Sequence, residues 1–223
     1  ILVSLQVVPL TINYINPTRY GIWLTLSSIV AWLSYFDLGF AHGFRNRFAE
    51  AVAKGDMQLA REYVSTTYVV LSLLFSSVFL IAIVVNHFVD WSAILNVDAA
   101  YSSELNIVFG ILAFFFCLNI VASIFTTMLT ANQKPALASL IQTLGQVFGF
   151  ICIYILTKTV PGNLDVLAFA FSGVPCFLLI IISIGMFLSG RYRHLSPSFH
   201  FVHFSLTKKI VGLGGQFFII MIS

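Results

Sequence analysis

The chain has 223 residues, 59% of them hydrophobic and 9% charged, with a formal net charge of +3. So apolar a composition excludes an ordinary water-soluble domain, and so modest a charge calls for no nucleic-acid partner. Cys117, Cys152 and Cys176 all fall in apolar runs, with no paired spacing and no nearby histidine. They read as packing residues rather than as a disulfide or a metal site.

Crossing a bilayer core of about 30 Å takes about 20 mostly apolar residues in a helix. The runs Tyr63 to Val85, Leu105 to Ala131, Ala136 to Thr157 and Val166 to Gly190 carry no charge, and Tyr20 to Phe44 carries only Asp37. None shows the period-2 alternation of a barrel strand, so each reads as a helix. In chain order, helices are expected at about 1–15, 20–44, 63–85, 105–130, 136–157, 166–189 and from 209 onward. The fold class is therefore all-α, a polytopic transmembrane helical bundle. Pro9, and Pro175 beside Gly173, predict kinks in the first and sixth helices. The first and last runs are short of full spans, so the chain reads as a fragment cut inside helices at both ends.

Loop charge gives the expected orientation. Arg45, Arg47, Lys54, Arg61, Lys134, Arg191, Arg193, Lys208 and Lys209 lie in even-numbered loops, whereas only Arg19 and Lys158 lie in odd ones. The positive-inside rule then puts the even loops and the N-terminus in the cytoplasm.

Most information sits in the second span and its exit. Asp37 is the one charge inside a run of spanning length. A carboxylate at bilayer depth costs roughly 2.5–3.5 kcal/mol on insertion scales, so it marks either a polar helix contact or a hydrated path. In a continuous helix Asp37 would stand about 12 Å from Arg45, toward the inner surface. Gly39 and Gly43 have the small-xxx-small spacing of close helix approach. Arg45 and Arg47 serve the topology signal and are also candidate phosphate contacts. The stretch from Arg45 to Glu62 alternates apolar and charged residues. It predicts an amphipathic elbow of two short helical pieces, broken at Gly55 and capped by Asp56.

Further polar residues enter later spans: Asn119, Thr126, Thr127 and Thr130, then Gln142 and Gln146 one turn apart, beside Gly145 and Gly149. They suit interhelical hydrogen bonds or the lining of a polar cavity. His200 and His203 lie in a loop without other ligands, which argues against a metal site. No nucleophile–base pair, metal motif or phosphate cradle appears, so an enzyme, a cofactor and an ATP-driven pump are not expected.

The run Tyr20-Gly21-Ile22-Trp23, Asp37-Leu38-Gly39, Arg45-Asn46-Arg47, Ala49-Glu50-Ala51, Lys54-Gly55-Asp56, Ala60-Arg61 and Tyr63-Val64-Ser65-Thr66, with Asn132-Gln133-Lys134-Pro135, resembles bacterial O-antigen and polysaccharide flippases. That family belongs to the superfamily of the multidrug and toxic-compound extruders. The resemblance implies a MATE-like first lobe of six helices at 1–190, a cytoplasmic linker at 191–208 and the start of a second lobe at 209–223. It also implies a cytoplasmic (inner) membrane protein that flips undecaprenyl-diphosphate-linked oligosaccharide by alternating access. Its expected partners are that lipid-linked substrate, membrane lipids and polysaccharide polymerase machinery. Candidate substrate or coupling residues are Asp37, Arg45, Arg47, Asn119, Gln142 and Gln146. The alternatives are a cation-coupled extruder of the same fold, with Asp37 as the coupling carboxylate, and a membrane assembly or polymerase subunit.

Overall fold

The computed structural model describes residues 2–32 and 39–212, with side chains from Val8 onward. Asp37 lies outside the described residues. The helices are α1 Leu2–Ile15, α2 Pro17–Ala31, α3 Phe40–Ala53, α4 Met57–Phe88, α5 Trp91–Leu95, α6 Ser102–Ala131, α7 Pro135–Thr159 and α8 Leu164–Leu188, with single 3₁₀ turns between some of them. Residues 204–212 are also helical. No strand occurs among the described residues, so the protein is an all-α helical bundle. Among the described residues four helices, ending at Phe88, Ala131, Thr159 and Leu188, are long and apolar enough to cross a membrane.

Local chemistry places the breaks. Asn16 caps α2, accepting from the Arg19 N–H at 3.0 Å, while Pro17 starts the helix where a missing N–H costs nothing. Asp56 caps α4 through the Leu59 N–H at 2.9 Å, after Gly55 takes the left-handed turn at φ 75°. Asp90 caps α5, and Asn163 caps α8.

Three expected boundaries move. The span expected over 20–44 is not one helix: α2 ends at Ala31, and Gly39, left-handed at φ 76°, opens the separate α3. Gly39 therefore serves as a backbone break, and Gly43 is buried. The second half of the elbow is no short piece either. From Met57 it runs straight into the third span as a 32-residue helix, because Gln58, Leu59, Ala60, Arg61 and Glu62 are all good helix formers. The last helix begins at residue 204 rather than 209, burying Leu206 and Ile210.

The chain forms two compact units. The first, residues 1–33, 76–118 and 142–178, has a core of Trp23, Leu26, Leu105, Val108, Leu112, Leu164 and Leu167, with Trp91 stacked on Phe109 at 4.7 Å. Gly145 and Gly149 form a notch that admits Pro175: a Cβ on Gly145 would stand 3.3 Å from the proline Cα. Gly173 lies under the Phe115 ring in the same way. Lipid tails are as apolar as these side chains, so close packing rather than water exclusion holds such helices together. Small residues are what permit it.

The second unit, residues 34–75, 119–141 and 179–223, packs around Phe44, Phe48, Phe125, Met128 and Leu129. Tyr192 is buried against Phe125 and accepts a hydrogen bond from Lys134 Nζ at 3.2 Å. The unit partition also sorts the charges. The first unit has Arg19 and Lys158 against Asp90, Asp98, Glu104 and Asp165, a net −2. The second has nine basic residues against Asp37, Glu50, Asp56 and Glu62, a net +5.

Candidate functional site

On a helix immersed in lipid, exposed residues should be apolar, so an exposed amide is the informative exception. α4 exposes Leu80, Ile81, Val84 and Val85, and α8 exposes Ile181, Ile184 and Leu188. α7 exposes Phe148, Ile151 and Ile155, but also Gln142, Thr143 and Gln146. Neither glutamine has a hydrogen-bond partner among the described residues.

Gln146 belongs to a cavity of about 360 Å³ within the first unit, walled by Val8, Tyr20, Trp23, Phe150, Phe171 and Pro175. That volume lies in the range of small-ligand sites. The aromatic wall is ordered: Trp23 meets Phe171 edge-on at 4.7 Å and Tyr20 at 5.7 Å. The Trp23 side chain is buried, and its indole N–H has no acceptor among the described residues. Gly149 leaves room there by packing on Pro175.

Other expected site residues are placed elsewhere. Asn119 lies in the second unit, exposed and without a partner among the described residues. The hydroxyls that follow it on α6 do not bridge helices. Ser123 donates to the Ile120 carbonyl at 2.7 Å, Thr126 and Thr127 to that of Ser123, and Thr130 to that of Thr126. Arg45 and Arg47, on α3, are not equivalent. Arg45 is exposed and free of any carboxylate among the described residues. Arg47 contacts Glu50 at 3.0 Å, and Lys54 reaches the same carboxylate at 2.7 Å. Those two bonds, Lys54's first, hold the Glu50 carboxyl below its ordinary range. Exposed pairs of this kind contribute little to stability, so an anion could displace them. His203 and His200 are engaged by Glu62, at 3.8 Å, and by the Phe201 ring.

Sequence reading missed the role of Arg19. Its guanidinium donates to Glu104 at 3.3 Å and to the Gly162 carbonyl at 3.2 Å, and sits 5.6 Å from the Tyr101 ring centre. The Tyr14 hydroxyl donates to the Pro161 carbonyl beside it. One end of the first unit is thus tied through a single cation. The available signal was charge balance, since only Arg19 and Lys158 face four acids in that unit. No protein-family model, curated protein or solved structure matches the chain.

Proposed function

We propose that the chain is the first lobe of a membrane transporter that flips a lipid-linked oligosaccharide across the bacterial cytoplasmic membrane. The observation that carries the reading is the cavity around Gln146: an unpartnered amide on a spanning helix, facing a wall of Tyr20, Trp23, Phe150 and Phe171. A sugar ring has an apolar C–H face, which suits an aromatic wall, and a rim of hydroxyls, which suits an amide. Each hydroxyl taken bare into hydrocarbon costs roughly 4–8 kcal/mol, so a glycan crosses only where such groups replace water. The similarity of residues 20–66 to polysaccharide flippases supports the same class. The nine basic residues of the even-numbered loops, against two in the odd ones, support a cytoplasmic N-terminus. Arg45 at that side offers a guanidinium to the diphosphate of a lipid carrier.

The test is paired. In cells lacking the full-length protein, surface polysaccharide should disappear while its lipid-linked precursor accumulates in the inner leaflet. Normal surface glycan with raised sensitivity to cationic drugs would overturn this in favour of an extruder. Lost polymer with the precursor already in the outer leaflet would indicate a polymerase subunit instead.

A further inference from the structure

The segment after α8 is docked onto the start of α4 by a set of specific bonds, all within the second unit. Arg61 Nε donates to the Ser196 carbonyl at 2.9 Å, the Ser198 N–H to Ser65 Oγ at 3.1 Å, and the His203 N–H to Thr66 Oγ1 at 3.0 Å. The Arg61 guanidinium also lies 4.2 Å from the centre of the Phe201 ring. These bonds fix the backbone, yet they leave Phe199 87% and Phe204 63% exposed. Between this segment and α4 runs an open, almost wholly apolar groove of about 460 Å³, lined by Tyr68, Val69, Ser72, Leu73, Pro197 and Phe199.

Length and charge indicate the occupant. From Arg61 to Leu73 the helix rises about 18 Å, close to the half-thickness of about 15 Å that one leaflet's acyl chains fill. At one end stands Arg61, whose two Nη groups make no hydrogen bond among the described residues. The docked segment and its flanks add Arg191, Arg193, Lys208 and Lys209, all exposed and without a carboxylate partner among the described residues. Next to Arg61 in the chain, Glu62 is already bonded by Gln58 and faces His203.

We propose that this groove is a binding site for an anionic phospholipid, its acyl chain between Phe199 and Val69–Leu73 and its phosphate on Arg61. The site is separate from the Gln146 cavity and does not depend on what the protein transports. The docked segment thereby becomes a lipid-sealed strap at the membrane surface, with Phe204 in the interfacial layer.

The full-length protein carrying Phe199→Trp is placed in nanodiscs containing phosphatidylglycerol or phosphatidylcholine with brominated chains, and quenching is read as the difference from the parent. Phosphatidylglycerol should quench with about fivefold preference, the factor one basic residue contributes at an anionic surface. Arg61→Gln should lower that preference clearly while Arg61→Lys retains it. Val69→Phe, which fills the groove without touching the strap's bonds, should reduce quenching by both lipids at an unchanged melting temperature. This second variant decides the matter should Arg61→Gln fail to fold. Equal quenching by the two lipids, or quenching that Val69→Phe leaves intact, would overturn the proposal. Competition by glycerol 3-phosphate, which has no chains, would show a free-phosphate site and overturn it as well.

Discussion

Replacing Gly162 by alanine should loosen the end of the first unit that Arg19 ties together. The reason is steric and local. A Cβ on Gly162 would collide with the carbonyl oxygen of Tyr14, and would also stand 3.2 Å from the Tyr14 carbonyl carbon and 3.5 Å from Ile15 Cα. All three atoms are backbone at the end of α1, so no side-chain rotation relieves the contact. The loop must retreat, and two bonds go with it: Arg19 Nη1 to the Gly162 carbonyl, and the Tyr14 hydroxyl to the Pro161 carbonyl, each 3.2 Å. A charged hydrogen bond contributes about 1.5–3 kcal/mol and a neutral one about 1. Both sit near solvent, so the low end applies and the loss should be about 2–3 kcal/mol. For a chain of this size that lowers the melting temperature by about 5–10 °C.

The assay is thermal unfolding of the purified protein in detergent, with Gly185→Ala as control, since a Cβ there would meet nothing within 4 Å. A helical glycine-to-alanine change of that kind should be neutral or stabilising by up to about 1 kcal/mol. Tyr14→Phe sharpens the test. It should cost about 1 kcal/mol in the parent and almost nothing beside Gly162→Ala, because the shared bond is already lost. A Gly162→Ala protein as stable as the Gly185→Ala control would refute the reasoning, as would full additivity with Tyr14→Phe.

Three further outcomes are expected. Gln146→Leu should leave membrane insertion and melting unchanged but slow transport about tenfold, the equivalent of one hydrogen bond of about 1.4 kcal/mol; unaltered transport would remove the cavity from the mechanism. Asp37→Ala should reach the membrane at normal levels yet lose transport, with Asp37→Asn partly active if hydrogen bonding suffices; a variant missing from the membrane would make Asp37 a packing residue. In a cysteine-free background, cysteines at Met57 and His200 should resist an impermeant reagent in intact cells while cysteines at Ala100 and Val160 react; the reverse pattern would invert the orientation. The turn tips at Gly55 and Asn96 are avoided because their φ of 75° and 52° disfavours a cysteine.

The spanning helices were legible because lipid solvation imposes a length, and runs such as Leu105 to Ala131 meet it with no charge at all. The breaks were less so. The run from Tyr20 to Phe44 reads as one span by hydropathy, yet Gly39 turns left-handed and starts a new helix, an event that apolar counting does not register. Conversely, Arg61 and Glu62 ended an apolar run without ending a helix, since charged residues with high helical propensity extend α4 beyond its apolar stretch. The contacts that close each unit were beyond reach for a simpler reason. Arg19 with Gly162, and Arg61 with Ser196, are 143 and 135 residues apart, and nothing local marks either pairing.

The candidate site shows the same limit in sharper form. Composition treats Thr126, Thr127, Thr130, Gln142 and Gln146 alike, as polar residues within spans. Geometry divides them by reach. A hydroxyl on a short side chain returns to the carbonyl three or four residues back, as Ser123, Thr126, Thr127 and Thr130 all do, and so needs no partner beyond its own helix. A glutamine amide carries two donors and an acceptor on a longer arm, and its own helix offers no free group to match them. Gln146 accordingly has no partner among the described residues and lines the cavity. What makes it a candidate is that unmet demand on a helix long and apolar enough to span, beside the aromatic wall of Tyr20, Trp23, Phe150 and Phe171.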